Sequence, residues 1–266
     1  DRSKVWNVLK NGKIYKSNTN EVNDLINNIK NLQILEIVSK DVKRYKEYSL
    51  DEESANKIKI FVKKNKKIIP FTVFIGKQGG FSYNEFYVRF EDKPYIYLAK
   101  GIENRWVLER PFYDYCDKSI LISEIGEISY VEFKYNNKVF QYKKTLKDST
   151  TIWFCLENKK EVEENKIEEF TKNFVADKIL LDEEIINEKL KVLLEIKIIY
   201  KNSEVQILIY NKESVKEEIF SFYPIKIKCF NLDSQSIKFC GREDIYYAIA
   251  EYRYNKIVDF LKINLF

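Results

Sequence analysis

Asp1-Arg2-Ser3-Lys4-Val5-Trp6-Asn7-Val8-Leu9-Lys10-Asn11-Gly12-Lys13 returns in looser form as Asp148-Ser149-Thr150-Thr151-Ile152-Trp153-Phe154-Cys155-Leu156-Glu157-Asn158-Lys159-Lys160. The two tryptophans lie 147 residues apart, and each is followed by an amphipathic helical pattern and then by strand patterns. A period that long means two domain-sized copies, not a solenoid of small units. A chain of 266 residues has room for both. The expected division is a first α+β repeat over 1–120 and a second over 121–266, meeting near Ser119 to Ile125.

Working outward from Trp6, Val5 to Leu9 reads as a strand and Ser17-Asn18-Thr19-Asn20 as a helix N-cap. Val22, Leu25, Ile26, Ile29 and Leu32 then form a stripe at helical spacing. Strands are predicted at Ile58–Val62 and Ile69–Ile75 across a lysine-rich tip, then at Phe86–Phe90 and Tyr95–Ala99, with a helical segment over Ile102–Cys116. In the second copy, strands at Ile128–Tyr135, Val139–Thr145 and Thr151–Leu156 precede a helix near Val162–Ala176. Strands at Leu190–Tyr200, Val205–Tyr210, Ile225–Leu232 and Ile237–Cys240 lead to a terminal helix over Arg242–Leu261, which sets Trp106 opposite Tyr247. The fold class expected is α+β, with two tandem similar subdomains. Each is an antiparallel sheet with helices on one face, because hairpin-length connections cannot make parallel crossovers.

The first copy begins at its tryptophan, so it lacks what Ile128–Lys144 supplies in the second: a strand–turn–strand unit around Asn136-Asn137. With no methionine in the chain, the sequence is expected to be part of a longer protein. Trp6 and Trp153 are expected in equivalent, largely buried places, and the edge near Val5–Leu9 to be open or paired with something else.

Composition narrows the chemistry. Apolar residues at 45% and charged residues at 33% describe a globular protein with a core. Its 46 basic and 41 acidic residues are interleaved, apart from Lys63-Lys64-Asn65-Lys66-Lys67, which reads as a solvated hairpin tip; no nucleic-acid partner is expected. No apolar run reaches the about 18 residues a membrane span needs. Histidine is absent, which removes Ser-His-Asp and Cys-His mechanisms and histidine-ligated metals. Glu163-Glu164 and Glu183-Glu184 read as solvated helix faces, because adjacent helical residues point apart. Asp114 and Asp117-Lys118 read as a helix-end cap with a local ion pair. Gly76-Lys77-Gln78-Gly79-Gly80 joins strand to strand and opens no helix, so it reads as a mobile hairpin loop and not a phosphate loop. No catalytic residue, cofactor or metal is called for.

The four cysteines have no CxxC spacing. If Asp233-Ser234-Gln235-Ser236 forms a two-residue hairpin turn, Cys229 and Cys240 are directly opposed; buried thiols are the preferred reading and a bridge the alternative. Aromatic residues make up 15% of the chain, mostly on strand patterns where packing accounts for them. Tyr95, Tyr97, Trp106, Tyr246 and Tyr247 are the candidate interaction surface, and their exposure would favour a glycan- or envelope-polymer-binding domain.

Tyr48-Ser49-Leu50-Asp51, Phe74-Ile75-Gly76-Lys77, Phe86-Tyr87-Val88-Arg89, Tyr95-Ile96-Tyr97-Leu98 and Asp114-Tyr115-Cys116-Asp117-Lys118-Ser119-Ile120-Leu121 together resemble the bacterial domain-of-unknown-function family 4340 (DUF4340). The pattern runs approximately "yGLd … iG … Yvr … Vy … d-rdk-ll", with Ser49 where the family usually has Gly. The resemblance covers roughly residues 5 to 156, and the second copy looks like a divergent repeat. It implies an N-terminal membrane anchor outside this chain, with the rest on the extracytoplasmic (periplasmic) side. It also implies relatives found beside ABC-transporter components, including gliding-motility auxiliary proteins. The expected role is a non-enzymatic accessory of an ABC transport complex, with membrane-embedded transporter components as partners.

Overall fold

The structure, a computed structural model, describes residues 6–64, 67–80, 82–101, 110–123, 128–147, 150–162, 167, 171, 174–201, 203–216, 221–232 and 237–263. The chain divides into two compact units, Asp1–Tyr115 and Cys116–Phe266. Both are built mainly of antiparallel sheet with a few helices, an α+β arrangement. Among the described residues no helix is long and apolar enough to cross a membrane.

The first unit opens with a hairpin, β1 (Asn7–Lys10) and β2 (Lys13–Lys16), turned by Asn11-Gly12 with both residues at positive φ. Such a turn matches the right-handed twist of its strands. Helix α1 (Thr19–Lys30) follows, with the Asn18 side chain accepting from the Asn20 amide at 3.3 Å. Five strands make the sheet: β3 (Gln33–Ser39), β4 (Asn56–Lys64), β5 (Lys67–Gln78), β6 (Glu85–Phe90) and β7 (Ile96–Lys100), in the order β3-β7-β6-β5-β4. Val73, Ile75, Phe86, Val88, Tyr97 and Ala99 point to one face and pack under Leu25, Ile29 and Leu32 of the α1 region. Phe74, Tyr87 and Ile96, one residue out of phase, face the other way and pack with Tyr45, Tyr48 and Leu50. The sheet is therefore covered on both faces, by α1 and by the 3-10 turn Val42–Tyr48, and not on one face as expected. Strand β3 had no signature in sequence, because its apolar residues Ile34, Leu35 and Ile37 follow neither period and stay exposed.

The second unit is larger. A nine-stranded sheet runs β12-β11-β10-β9-β15-β16-β17-β19-β14. Its members are β9 (Ile128–Tyr135), β10 (Lys138–Lys147), β11 (Thr150–Cys155), β12 (Glu161–Val162), β14 (Lys178–Leu180), β15 (Val192–Tyr200), β16 (Glu204–Tyr210), β17 (Phe222–Phe230) and β19 (Tyr246–Ala250). A three-stranded sheet, β13-β8-β18, joins β8 (Ser119–Ser123), β13 (Phe174–Val175) and β18 (Ile237–Cys240). The inward residues of β15 and β16 (Leu194, Ile196, Ile198, Tyr200, Val205, Ile207, Ile209) have no exposed surface. Helix α2 (Glu251–Ile263) sets Phe260 against Phe133 and Tyr142, with ring centroids 5.7–6.0 Å apart.

Three expectations change here. The terminal helix does not begin at Arg242: Tyr246–Ala250 is strand β19, buried between β17 and β14, and only Glu251 onward is helical. A short apolar run of aromatic and β-branched residues fits a buried strand and a helix stripe equally well. Strands β17 and β18 do not form a hairpin; they belong to different sheets. The sulfur atoms of Cys229 and Cys240 are nonetheless at bonding distance, as a disulfide, while Cys116 and Cys155 are buried thiols. Finally, Trp153 is 1% exposed on β11, whereas Trp6 is only half-buried and lies just before β1. Strand β11 has a neighbour on each side; β1 has only β2.

Candidate interaction surface

The residues that carry the family pattern converge on one cluster in the first unit. Val42–Tyr48 ends with Ser49 in the left-handed conformation (φ 55°), a position that suits glycine. Asp51 then accepts from the amides of Glu53 and Ser54, both at 3.1 Å, and so fixes the next turn. Gly76 of β5 passes under this segment so closely that a Cβ there would lie 2.1 Å from the Tyr48 carbonyl oxygen. Arg89 of β6 is buried; it donates from Nε to the Leu50 carbonyl at 2.7 Å and lies 3.3 Å from the Phe74 ring centroid and 4.6 Å from that of Tyr45. Arg89 and Gly76 thus tie the segment from Val42 to Asp51 to the sheet. Gly76 is strand and close contact, not the mobile loop expected of 76–80.

The five expected surface aromatics are not one site. Tyr97 and Tyr247 are buried, on β7 and β19. Tyr95 and Tyr246 are half-buried; Tyr95 packs edge-on against Tyr97 at 5.9 Å, and Lys226 sits 3.8 Å above the Tyr246 ring. Tyr95 and Tyr97 belong to the first unit, Tyr246 and Tyr247 to the second. Trp106 lies outside the described residues, as do most of the 102–116 and 162–176 helical expectations, Glu163-Glu164, Asn65-Lys66 and the 233–236 turn. Burial pushes the Tyr247 phenol up, the mark of a core residue. Asp117 accepts from the Ser119 amide at 3.0 Å, where the chain enters β8.

Glu184 departs from its expected solvated place. It lies on a 3-10 turn and pairs with the buried Lys178 ammonium at 2.9 Å. In the second unit an open groove of about 650 Å³ flanks the β9–β10 turn and includes Lys134, Lys138, Val139, Lys191 and Glu195. Lys134 is paired with Glu195 at 3.4 Å and Glu132 at 3.5 Å, which hold its pKa above the usual lysine value.

The surface with the clearest capacity for recognition is the outer half of the β4–β5 hairpin. Phe61 is 61% exposed and Ile68 68%, and Ile69 and Phe71 are exposed beside them. Register pairs Phe61 with Pro70 and Ile60 with Phe71, so the apolar side chains emerge on both faces. Strand β4 is the end of the sheet, with one side of its backbone unpaired within it. Lys57 and Lys59 alternate with Ile58 and Ile60 along it. Sequence reading saw this region only as strands around a solvated tip. Alternation gives the faces of a strand but not whether its neighbour is present.

Among curated proteins and solved structures, none matches the chain significantly. A family profile does match, over residues 6–197, from Trp6 into β15, and it takes in the cluster around Ser49, Gly76 and Arg89. The chain belongs to the domain-of-unknown-function family DUF4340.

Proposed function

We propose that this protein is a non-enzymatic module that works by holding other proteins, on the extracytoplasmic face of a bacterial cytoplasmic membrane. In this reading it is an accessory of an ABC transport complex, tethered by an anchor outside this chain, with membrane-embedded transporter components as partners. The observation that carries it is the exposed apolar strip Phe61, Ile68, Ile69 and Phe71 on the faces of the β4–β5 hairpin, a patch suited to protein contacts. The Cys229–Cys240 disulfide supports an oxidising compartment. The motif cluster around Arg89 supports a structural meaning for the family pattern, since its groups are engaged with one another.

The two units are, in this proposal, copies of one scaffold. Skipping β18, chain order maps β3, β4, β5, β6, β7 onto β14, β15, β16, β17, β19. The sheet orders β3-β7-β6-β5-β4 and β14-β19-β17-β16-β15 then coincide. The β1–β2 hairpin precedes α1 as β11–β12 precedes the helical positions Ile167 and Thr171.

The test is purification of the whole protein from membranes with identification of what accompanies it. Recovery with transporter subunits is expected, and loss of those subunits from a Phe61→Glu, Ile68→Glu variant that still folds. Recovery of the whole protein entirely from the cytosol would end this reading.

A further inference from the structure

In the second unit the strand that corresponds to β4 is not an edge. Strand β15 is paired along its length with β9, from Leu194↔Tyr135 to Tyr200↔Ile128, and β9 in turn with β10 and β10 with β11. Two strands thus lie between the counterpart of β4 and the counterpart of β1. Among the described residues the first unit shows no such pair, and its strands form separate sheets of five and two. With two more strands it would hold nine, the number in the large sheet of the second unit.

We infer that the free edges of β4 and β1 are the two halves of a strand-addition site. It takes a β-hairpin from the segment of the whole protein immediately upstream of Asp1, which joins the five- and two-stranded sheets into one. This inference rests on the reading of the two units as copies. The half-buried state of Trp6 belongs with it: Trp153, its counterpart, is covered where β10 flanks β11.

The chemistry of the incoming strand can be read from both sides. Where β9 meets β15, Glu132 stands opposite Lys197 and Lys134 opposite Glu195, while Val131 and Phe133 point into the core opposite Ile198 and Ile196. Strand β4 carries Lys57 and Lys59 on one face, Lys57 already paired with Glu52 at 2.7 Å, and Ile58 and Ile60 on the other. The complement is a strand of acidic residues alternating with apolar ones. A second copy paired β4 to β4 with its faces matched would set lysines among lysines, which opposes self-association through this edge.

Hydrogen exchange on the whole protein, against the 266-residue chain, tests the inference. With the upstream residues present, amides in Asn56–Lys64 and Asn7–Lys10 should exchange at least about tenfold more slowly, independent of protein concentration. A synthetic peptide of the upstream about 20 residues, the length of the β9–β10 hairpin, should give the same protection when added to the 266-residue chain. Unchanged exchange of both strands in the whole protein overturns the inference. So does protection of the 266-residue chain that grows with its own concentration, which would make a second copy the occupant. A crystal structure of the whole protein separates the two readings: units that superpose strand for strand while β4 stays bare sink only this inference, and units that do not superpose sink the duplication itself.

Discussion

Ser49 is the residue where this chain departs from its family and where the backbone states the reason for the usual glycine. A φ of 55° costs a residue with a Cβ about 1 kcal/mol or more. Ser49→Gly should therefore raise the unfolding free energy by about 1 kcal/mol and move the urea midpoint up with it, and an unchanged midpoint would show that the position bears no strain. Arg89 is opposite in kind. Arg89→Ala removes the donor to the Leu50 carbonyl and empties the space between Phe74 and Tyr45, and a loss of about 3 kcal/mol is expected. In the second unit the Tyr142 hydroxyl and the Trp153 indole N–H are buried with no hydrogen-bond partner among the described residues. Tyr142→Phe should stabilise by about 1 kcal/mol, while Trp153→Ala should cost about 3–5 kcal/mol through the cavity it leaves. Trp6→Ala should cost clearly less, since that ring is already half in water.

Among the elements, hairpins and sheet strands were the most legible. Asn11-Gly12 and Asn136-Asn137 mark turns whose positive φ values the fold requires, and the alternation of β15 and β16 places every inward side chain. Helix α1 was legible from Asn18 and its stripe. What sequence could not resolve was the long-range choice of partner. Tyr246–Ala250 carries as much helical as strand character until β17 and β14 are placed beside it, and β18 lies close to β17 in sequence yet pairs with β8. The candidate aromatics do not assemble for the same reason: residue type does not tell which face of a strand is covered, and Tyr97 and Tyr247 lie on buried faces. The disulfide gives the element scale its own test. Unfolded without reductant, the protein should show two reactive thiols, Cys116 and Cys155, and four after reduction. Reduction should lower stability by about 2–4 kcal/mol, and four thiols without reductant would remove the bridge and its support for an oxidising compartment.

At the scale of the whole molecule, pH response follows from which groups are buried. With no histidine, stability should be level between about pH 6 and 9. Burial raises the Tyr142 and Tyr200 phenols and pushes Tyr254 up to about 12. A phenol held neutral by the fold binds its proton more tightly folded than unfolded. The contribution of these phenols should thus be intact below pH about 10 and fall as pH rises toward 12. On the acid side, the hydrogen bond from Lys197 holds the Glu204 carboxyl below its usual value. Its contribution is present above pH about 4.3 and lost as pH falls further. Tyrosinate absorbance should rise together with loss of structure on the alkaline side; full ionisation of a still folded protein would contradict the burial of these rings. The order of the nine-stranded sheet also sets a timetable for synthesis. Strand β9 waits for β15, and their paired residues are separated by 59 positions (Tyr135 to Leu194) to 72 (Ile128 to Tyr200). At about 5–20 residues per second, the β9–β12 meander emerges seconds before its partner exists. Such non-local pairing belongs to the millisecond-to-second class of folders. For those seconds the nascent chain carries an unpaired strand lined with Val131 and Phe133, so a ribosome stalled between residues 162 and 192 should hold a chain that binds chaperones, and one stalled well past residue 210 should not.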